Sequence, residues 1–217
     1  MKKAVFFDFD DTLYDQDLYY LAVFRTFSGM HGIDGEQMMR SYRSLKGKSR
    51  DIFGGVLSEM GIYSADLQEE LFRLYRTQEV SIPVYPDADE ILGWLKEKNI
   101  ATGIITNGVV DVQKNKVKAT GMDHRVDIVV YARTWGAGFE KPHPRAFGEA
   151  LERAGVSAGN AIFVGDVPET DIRGAEAAGI ANVFLVDRNG KFENNSGYKR
   201  ISELTELKKI ISEIWKN

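Results

Sequence analysis

The stretch Ala4-Val5-Phe6-Phe7-Asp8-Phe9-Asp10-Asp11-Thr12-Leu13 decides the fold. Its apolar run, bounded by acids, predicts a buried strand whose C-terminal end carries carboxylates. The C-terminal edge of an open α/β sheet is where such folds bind ligands. Crowded carboxylates repel one another and raise one another's pKa values. A fold that gathers them at that edge has a use for a hard cation. By itself, Asp-x-Asp-Asp-Thr also fits a strand that ends in an acidic turn. The rest of the chain decides between the two.

The 217 residues are 43% hydrophobic and 28% charged, ordinary for a soluble globular protein with a real core. The net charge is −4 and there is no long basic run, so no nucleic-acid partner is expected. No apolar stretch approaches the ~20 residues that span a bilayer, so no membrane partner is expected either. Few apolar residues follow Met1-Lys2-Lys3 before Asp8, too few for a signal-peptide core. The expected compartment is the cytoplasm. The absence of cysteine excludes disulfides, thiolate metal sites and cysteine nucleophiles. His31, His124 and His143 lack metal-ligand spacing, which argues against zinc.

Further strand patterns fall at 101–105, 126–131, 161–164 and 182–186. Helical patterns fall at 87–98, 110–120, 144–154 and 169–178, the last three followed by Gly121, Gly155 and Gly179 as C-caps. Such alternation predicts a parallel sheet with helices on both faces. Residues 17–80 break it. Apolar residues there recur at helical spacing, as in Leu21, Phe24, Phe27 and Leu67, Leu71, Leu74. Breaks at Gly32, Gly35, Gly47 and Gly61 divide them into about four helices. The predicted fold is α/β: a Rossmann-like parallel-sheet core of residues 1–14 and 82–217, with an inserted α-helical cap at 15–81. An insert directly after the first strand has the position of a lid. Residues 189–197 read as a polar surface loop.

Later strands also end in polar residues. After Ile105 comes Thr106-Asn107-Gly108, with side-chain donors and a glycine that permits a tight turn before a helix start. Lys141 lies in Glu140-Lys141-Pro142-His143-Pro144, where two prolines stiffen the segment. An ammonium suits phosphate as a point charge. His143 reads as a loop residue near a helix start. After Val164 comes Gly165-Asp166, and Asp171 follows on the next helix. Singly, these read as an N-cap turn, a solvated lysine and acids at a helix start. Together they bring carboxylates, neutral donors and an ammonium to one sheet edge. The acids collect a divalent cation, while Thr106, Lys141 and backbone N–H groups collect an anion. Both together describe a phosphate-plus-Mg²⁺ site.

These four motifs, in this order, resemble the signature motifs of the haloacid dehalogenase-like hydrolase superfamily, and the helical insert resembles its small cap. The resemblance covers nearly the whole chain. It implies a phosphatase in which Asp8 attacks phosphorus to give an aspartyl-phosphate. Asp10 would then be general acid for the leaving group and general base for water. It implies that Thr106 and Lys141 bind phosphoryl oxygens, helped by backbone N–H groups of the Asp10-Asp11 and Asn107-Gly108 turns. It further implies Mg²⁺ held by Asp8, the Asp10 carbonyl and Asp166, with Asp171 as an extra ligand or just beyond the ligands. Family members that cleave carbon–halogen bonds do not need an acid at the position of Asp10, so an oxygen leaving group is favoured. Phosphonate cleavage in this family uses a cap lysine as a Schiff base, a variant for which Lys46 and Lys48 are the residues at hand. Lys48 and Arg50 are candidates to meet a second anionic group on the substrate, although both also fit a charged surface. Tyr14, Asp15, Asp17, Tyr20 and Trp135 are candidates to line the pocket. The expected partner is a small phosphorylated metabolite, with monomer and homodimer both open. A sugar-phosphate mutase of the same family, and a phospho-accepting signalling domain, remain alternatives.

Overall fold

The structure, a computed structural model, describes residues 1–192 and 197–215. Part of the expected 189–197 loop, residues 193–196, therefore lies outside the described residues. The chain forms two compact units, Met1–Asp15 with Pro83–Asn217, and Gln16–Ile82.

The smaller unit follows β1 (Ala4–Phe7) and is helical: α1 (Gln16–His31), α2 (Gly35–Leu45), α3 (Ile52–Glu59) and α4 (Ala65–Thr77). The starts of α2, α3 and α4 are set by side-chain caps. Asp34 accepts from the N–H groups of Glu36 and Gln37, Asp51 from Gly54, and Ser64 from Leu67. The aromatic stripe is its core. Phe24, Phe27 and Tyr42 are buried, and Tyr20 stacks on Tyr42 with centroids 4.2 Å apart. Asp17 gathers three donors across α1 and α2: Lys46 Nζ at 2.8 Å, Tyr42 Oη at 3.1 Å and Arg43 Nε at 3.2 Å. Partial burial raises the Asp17 carboxyl, but Lys46, Arg43 and Tyr42 outweigh it and hold it below the usual carboxylate range.

The larger unit continues with α5 (Pro86–Glu97), β2 (Ala101–Thr106), α6 (Val110–Ala119), β3 (Ile128–Tyr131), α7 (Arg145–Ala154) and β4 (Ala161–Gly165). It ends with α8 (Arg173–Ala177), β5 (Asn182–Val186), β6 (Arg200–Ile201) and α9 (Leu207–Ile214). The sheet is wholly parallel in the order β3-β2-β1-β4-β5-β6, the expected Rossmann-like α/β architecture. β1 lies between β2 and β4, with Ala4 opposite both Ala101 and Ala161. All four β1 side chains are fully buried, which is why the strand reads as an unbroken apolar run. Strand order reverses at β1. Connections from its two sides diverge there and leave the crevice at which open α/β sheets bind ligands.

Local differences from expectation have identifiable causes. β3 starts at Ile128 rather than at 126, because the Val126 N–H turns back to the Met122 carbonyl at 3.2 Å. The helix expected over 169–178 opens instead as a π-helical turn, Pro168–Ile172, before α8. Such wide turns often occur at functional sites. β6 and α9 were not anticipated. β6 has two residues, too few for an alternating pattern, and α9 is only two turns long. Among the described residues no helix is long and apolar enough to cross a membrane.

Gly103, in the middle of β2, shows how closely the sheet is packed. A Cβ there would lie 2.8 Å from Phe6 Cδ1 and 3.2 Å from the Ile128 carbonyl oxygen. Gly103→Val is expected to overpack this layer and to lower unfolding free energy by roughly 1–3 kcal/mol. Urea denaturation checks it: the midpoint should fall, and an unchanged midpoint would show that the layer can open.

Candidate active site

Asp8 follows β1 directly. Its N–H donates to the Val164 carbonyl at 2.8 Å, so the ladder between β1 and β4 fixes where its side chain starts. The buried carboxylate pairs with the Lys141 ammonium. Lys141 Nζ also meets Asp171 Oδ1 at 2.7 Å and is itself buried. The lysine backbone is clamped from the next strand end. Asn107 Oδ1 accepts from the Lys141 N–H at 2.7 Å, and Asn107 Nδ2 donates to the Lys141 carbonyl at 3.0 Å.

Asp171 is aimed by the π-helical turn. Its Oδ2 accepts from the Val167 N–H at 3.0 Å. The carboxylate lies over the Cα of Gly165, where a Cβ would be only 2.4 Å from Oδ2. No side chain larger than hydrogen fits at position 165 unless Asp171 moves. Thr12 Oγ1 lies 3.3 Å from Asp8 Oδ2 and 3.5 Å from Asp166 Oδ1, bridging the ends of β1 and β4. Thr12 is anchored in turn through its carbonyl, which accepts from Arg188 Nη2 at 2.8 Å. Arg188 also meets Asp87 at 2.8 Å and stacks over Tyr85.

Asp8, Asp166 and Asp171 each offer an oxygen within 4.8 Å of the others'. Three carboxylates share one ammonium, so the cluster carries excess negative charge. Burial raises the Asp8 carboxyl well above its ordinary value; Lys141 opposes this, while Asp171 and Asp166 add to it. Burial and the charges of Asp171 and Asp11 push Asp166 up to about 7. Burial lowers Lys141, but Asp171 and Asp8 dominate and hold it above its ordinary value. A divalent cation relieves such a surplus, and three hard oxygen donors suit it. The residues fit the metal that the sequence motifs implied.

Asp10 stands apart from this cluster. Its Oδ1 accepts from Lys116 Nζ at 2.9 Å and from the Tyr14 hydroxyl, and its Oδ2 from Gln113 Nε2 at 2.9 Å. Burial raises its carboxyl, but Lys116, Tyr14 and Gln113 together hold it below the usual carboxylate range. Gln113 Nε2 also reaches Thr106 Oγ1 at 2.5 Å. Sequence reasoning passed over Gln113 and Lys116. The available signal was the thin apolar stripe of α6, where Val112 and Val117 share the buried face with these two polar residues.

Other anticipated residues are placed as follows. Thr106 is buried at the end of β2. Asp11 adopts φ 58° in the turn after β1, a left-handed conformation uncommon outside glycine. The side chain of Asn107, considered as a donor to the ligand, is taken up by Lys141. The Gly108 N–H, expected to face phosphate, instead donates to Glu140 Oε1 at 2.7 Å. Trp135 packs against the core and under Arg145. His143 Nδ1 accepts from the Arg145 N–H, as a loop residue at a helix start does. Arg50 and Lys48 are exposed in the helical unit, while Lys46 is paired with Asp17 rather than standing as an amine for Schiff-base chemistry.

The raised carboxyls dictate a pH dependence. Asp8 and Asp166 bind protons in the folded chain that the unfolded chain has already lost above its ordinary carboxyl pKa of about 4. The contribution of Asp166 to stability is therefore full at low pH and is lost as pH rises through about 7, and that of Asp8 falls in the same direction. A divalent cation competes with those protons. Its addition should raise the melting temperature more at pH 8 than at pH 5; equal shifts at both would contradict the assignment.

Comparison with known proteins gives the family. Residues 5–185 match the family model of the haloacid dehalogenase-like hydrolases. A phosphoserine phosphatase of Thermus thermophilus is 33% identical over 158 residues, 72% of this chain, which spans 62% of that protein's length. A glyceraldehyde 3-phosphate phosphatase of Methanopyrus kandleri is 31% identical over 212 residues, 89% of this chain and 87% of that protein. The crystal structure of a phosphatase of this family from Thermococcus onnurineus superposes with a TM-score of 0.66 at 30% identity, covering 97% of this chain and 98% of that one. The chain belongs to the haloacid dehalogenase-like hydrolases and stands among their phosphatases.

Proposed function

We propose that the chain is a Mg²⁺-dependent phosphomonoesterase that hydrolyses a small phosphorylated metabolite through an aspartyl-phosphate on Asp8. The observation that carries this is the buried pairing of Lys141 with Asp8 and Asp171 at the end of β1, with Asp10 two residues beyond. Lys141 neutralises part of the repulsion between the Asp8 carboxylate and an anionic substrate and holds its attacking oxygen in place. An Asp8 oxygen attacks phosphorus, and the bond to the leaving oxygen breaks with its electron pair staying on that oxygen. The leaving alkoxide takes a proton from Asp10. Asp10 is ionised at rest, so that proton is taken up with substrate; the phosphoryl group's negative charge arriving beside it favours the protonated carboxyl. In the second half Asp10 takes a proton from water as the water oxygen attacks phosphorus. The bond to Asp8 then breaks, which restores its carboxylate and releases inorganic phosphate.

The Thr106 hydroxyl, Lys141 and backbone N–H groups around Asp11 are assigned to the phosphoryl oxygens. Asp8, the Asp10 carbonyl and Asp166 would hold Mg²⁺, with Asp171 as a further ligand or beside them. When bound, the cation supplies charge neutralisation at the reacting phosphoryl group. Residues 15–81 are assigned to substrate selection, with Arg50 for a second anionic group. Two relatives named for phosphoserine and glyceraldehyde 3-phosphate support a substrate of that size. The cysteine-free composition supports a cytoplasmic setting. Asp10 favours an oxygen leaving group over a halide, which departs unprotonated.

A screen of phosphoserine, phosphoglycolate, sugar phosphates and nucleotides, with and without Mg²⁺, tests the activity and its cation dependence. Asp8→Asn should lower turnover by on the order of 10³-fold or more, as loss of an attacking group does, while leaving the fold intact. Wild-type rates in that variant would refute the mechanism.

A further inference from the structure

Lys116 and Gln113 sit one turn apart on α6, and both are almost completely buried, at 1% and 2% exposure. A buried lysine is rare, and enclosing its ammonium is costly unless its partner is well placed. An apolar residue would fill the same space more favourably. Here the ammonium meets an oxygen of the Asp10 carboxylate at 2.9 Å. Gln113 takes the other oxygen. Two donors from one helix thus hold both oxygens of Asp10, and the carboxylate cannot rotate without breaking a buried hydrogen bond.

Gln113 does a second thing. Its amide donates to Asp10 and to Thr106 Oγ1. Asp10 as a carboxylate only accepts, which fixes the amide nitrogen, not the amide oxygen, on this side. Thr106 Oγ1 is therefore an acceptor toward Gln113, and its own proton points elsewhere. Among the described residues its acceptor is the Asn107 carbonyl at 3.3 Å, a long contact for a hydroxyl. The hydroxyl proton is left available for an anionic oxygen.

We propose that Lys116 and Gln113 are positioning residues for phosphoryl transfer, fixing the Asp10 carboxylate at the leaving oxygen and turning the Thr106 hydroxyl proton toward the phosphoryl group. The inference rests on the assignment of Asp10 to proton transfer. Neither residue takes or gives a proton itself.

Steady-state kinetics on phenyl phosphate and 4-nitrophenyl phosphate, in Mg²⁺, test it. Phenoxide is the poorer leaving group and needs its proton more. Lys116→Met should lower kcat on phenyl phosphate by roughly 10–100-fold, less than the roughly 10²–10⁴-fold of the whole general acid, with a smaller loss on the nitrophenyl ester and KM within about threefold. Lys116→Arg should recover most of the loss. In an Asp10→Asn background, Lys116→Met should cost less than about threefold, because its effect runs through Asp10. Equal losses on both esters, a change confined to KM, or full additivity with Asp10→Asn would overturn the inference. Gln113→Leu gives the same comparison if Lys116→Met does not fold, and it should also raise KM through Thr106; a leaving-group-independent Gln113→Leu would overturn the proposal equally. The Asp10→Asn control separates the two levels. If it shows the leaving-group bias and the Lys116 and Gln113 variants do not, the inference fails and the proposed function stands. If Asp10→Asn shows no bias, the assignment of Asp10 fails and the inference falls with it.

Discussion

The Lys141 ammonium, enclosed between the carboxylates of Asp8 and Asp171, is the interaction on which the rest of the site depends. Burying one cation among three acids is costly unless every partner is held in place. The fold supplies that hold from several directions. Asn107 clamps the Lys141 backbone from the end of β2. The π-helical turn after β4 aims Asp171, and Gly165 makes room for it. Arg188 ties down the carbonyl of Thr12, whose hydroxyl bridges Asp8 and Asp166. The parallel sheet brings these strand ends together because β1 lies between β2 and β4.

Much of this was legible in the sequence, for a definite reason. β1 is covered on both faces, so it reads as an apolar run, and its polar sequel had to lie at the sheet edge. Alternation of strand and helix then fixed the parallel topology. Charged residues beyond strand ends, such as Asp8, Lys141 and Asp166, were visible because a charge there needs an explanation. Asn107 was visible for the wrong role. Nothing in a Thr-Asn-Gly string distinguishes a donor to phosphate from a clamp on a lysine 34 residues away. The Gly108 N–H was equally misjudged, since its acceptor, Glu140, comes from another loop.

Gln113 and Lys116 left only the thin apolar stripe of α6 as a signal. In a helix pattern, glutamine and lysine read as solvent-facing, and only the three-dimensional packing shows them turned inward onto Asp10. The π-helical turn was hidden for a related reason: it carries Asp171 to Lys141, a partner 30 residues away, while the local pattern of the segment is simply helical. The carboxylates also divide in their electrostatics. Asp8 and Asp166 are raised by burial and by the charge of Asp171, while Asp10, beside its own lysine, is lowered. Ionising Asp8 for the proposed attack falls to Lys141, whose charge opposes that rise, and to a bound cation.

The central claim is that Asp8 attacks phosphorus and carries the phosphoryl group. It is tested most directly by acid-quenching the enzyme during turnover of 4-nitrophenyl phosphate with Mg²⁺ and mapping the products by peptide mass spectrometry. The account predicts a phosphoryl group on the peptide containing Asp8, labile to hydroxylamine as an acyl-phosphate is, and absent from Asp8→Asn. Sustained turnover with no phosphoryl group on that peptide, or with the group on another residue, would contradict it.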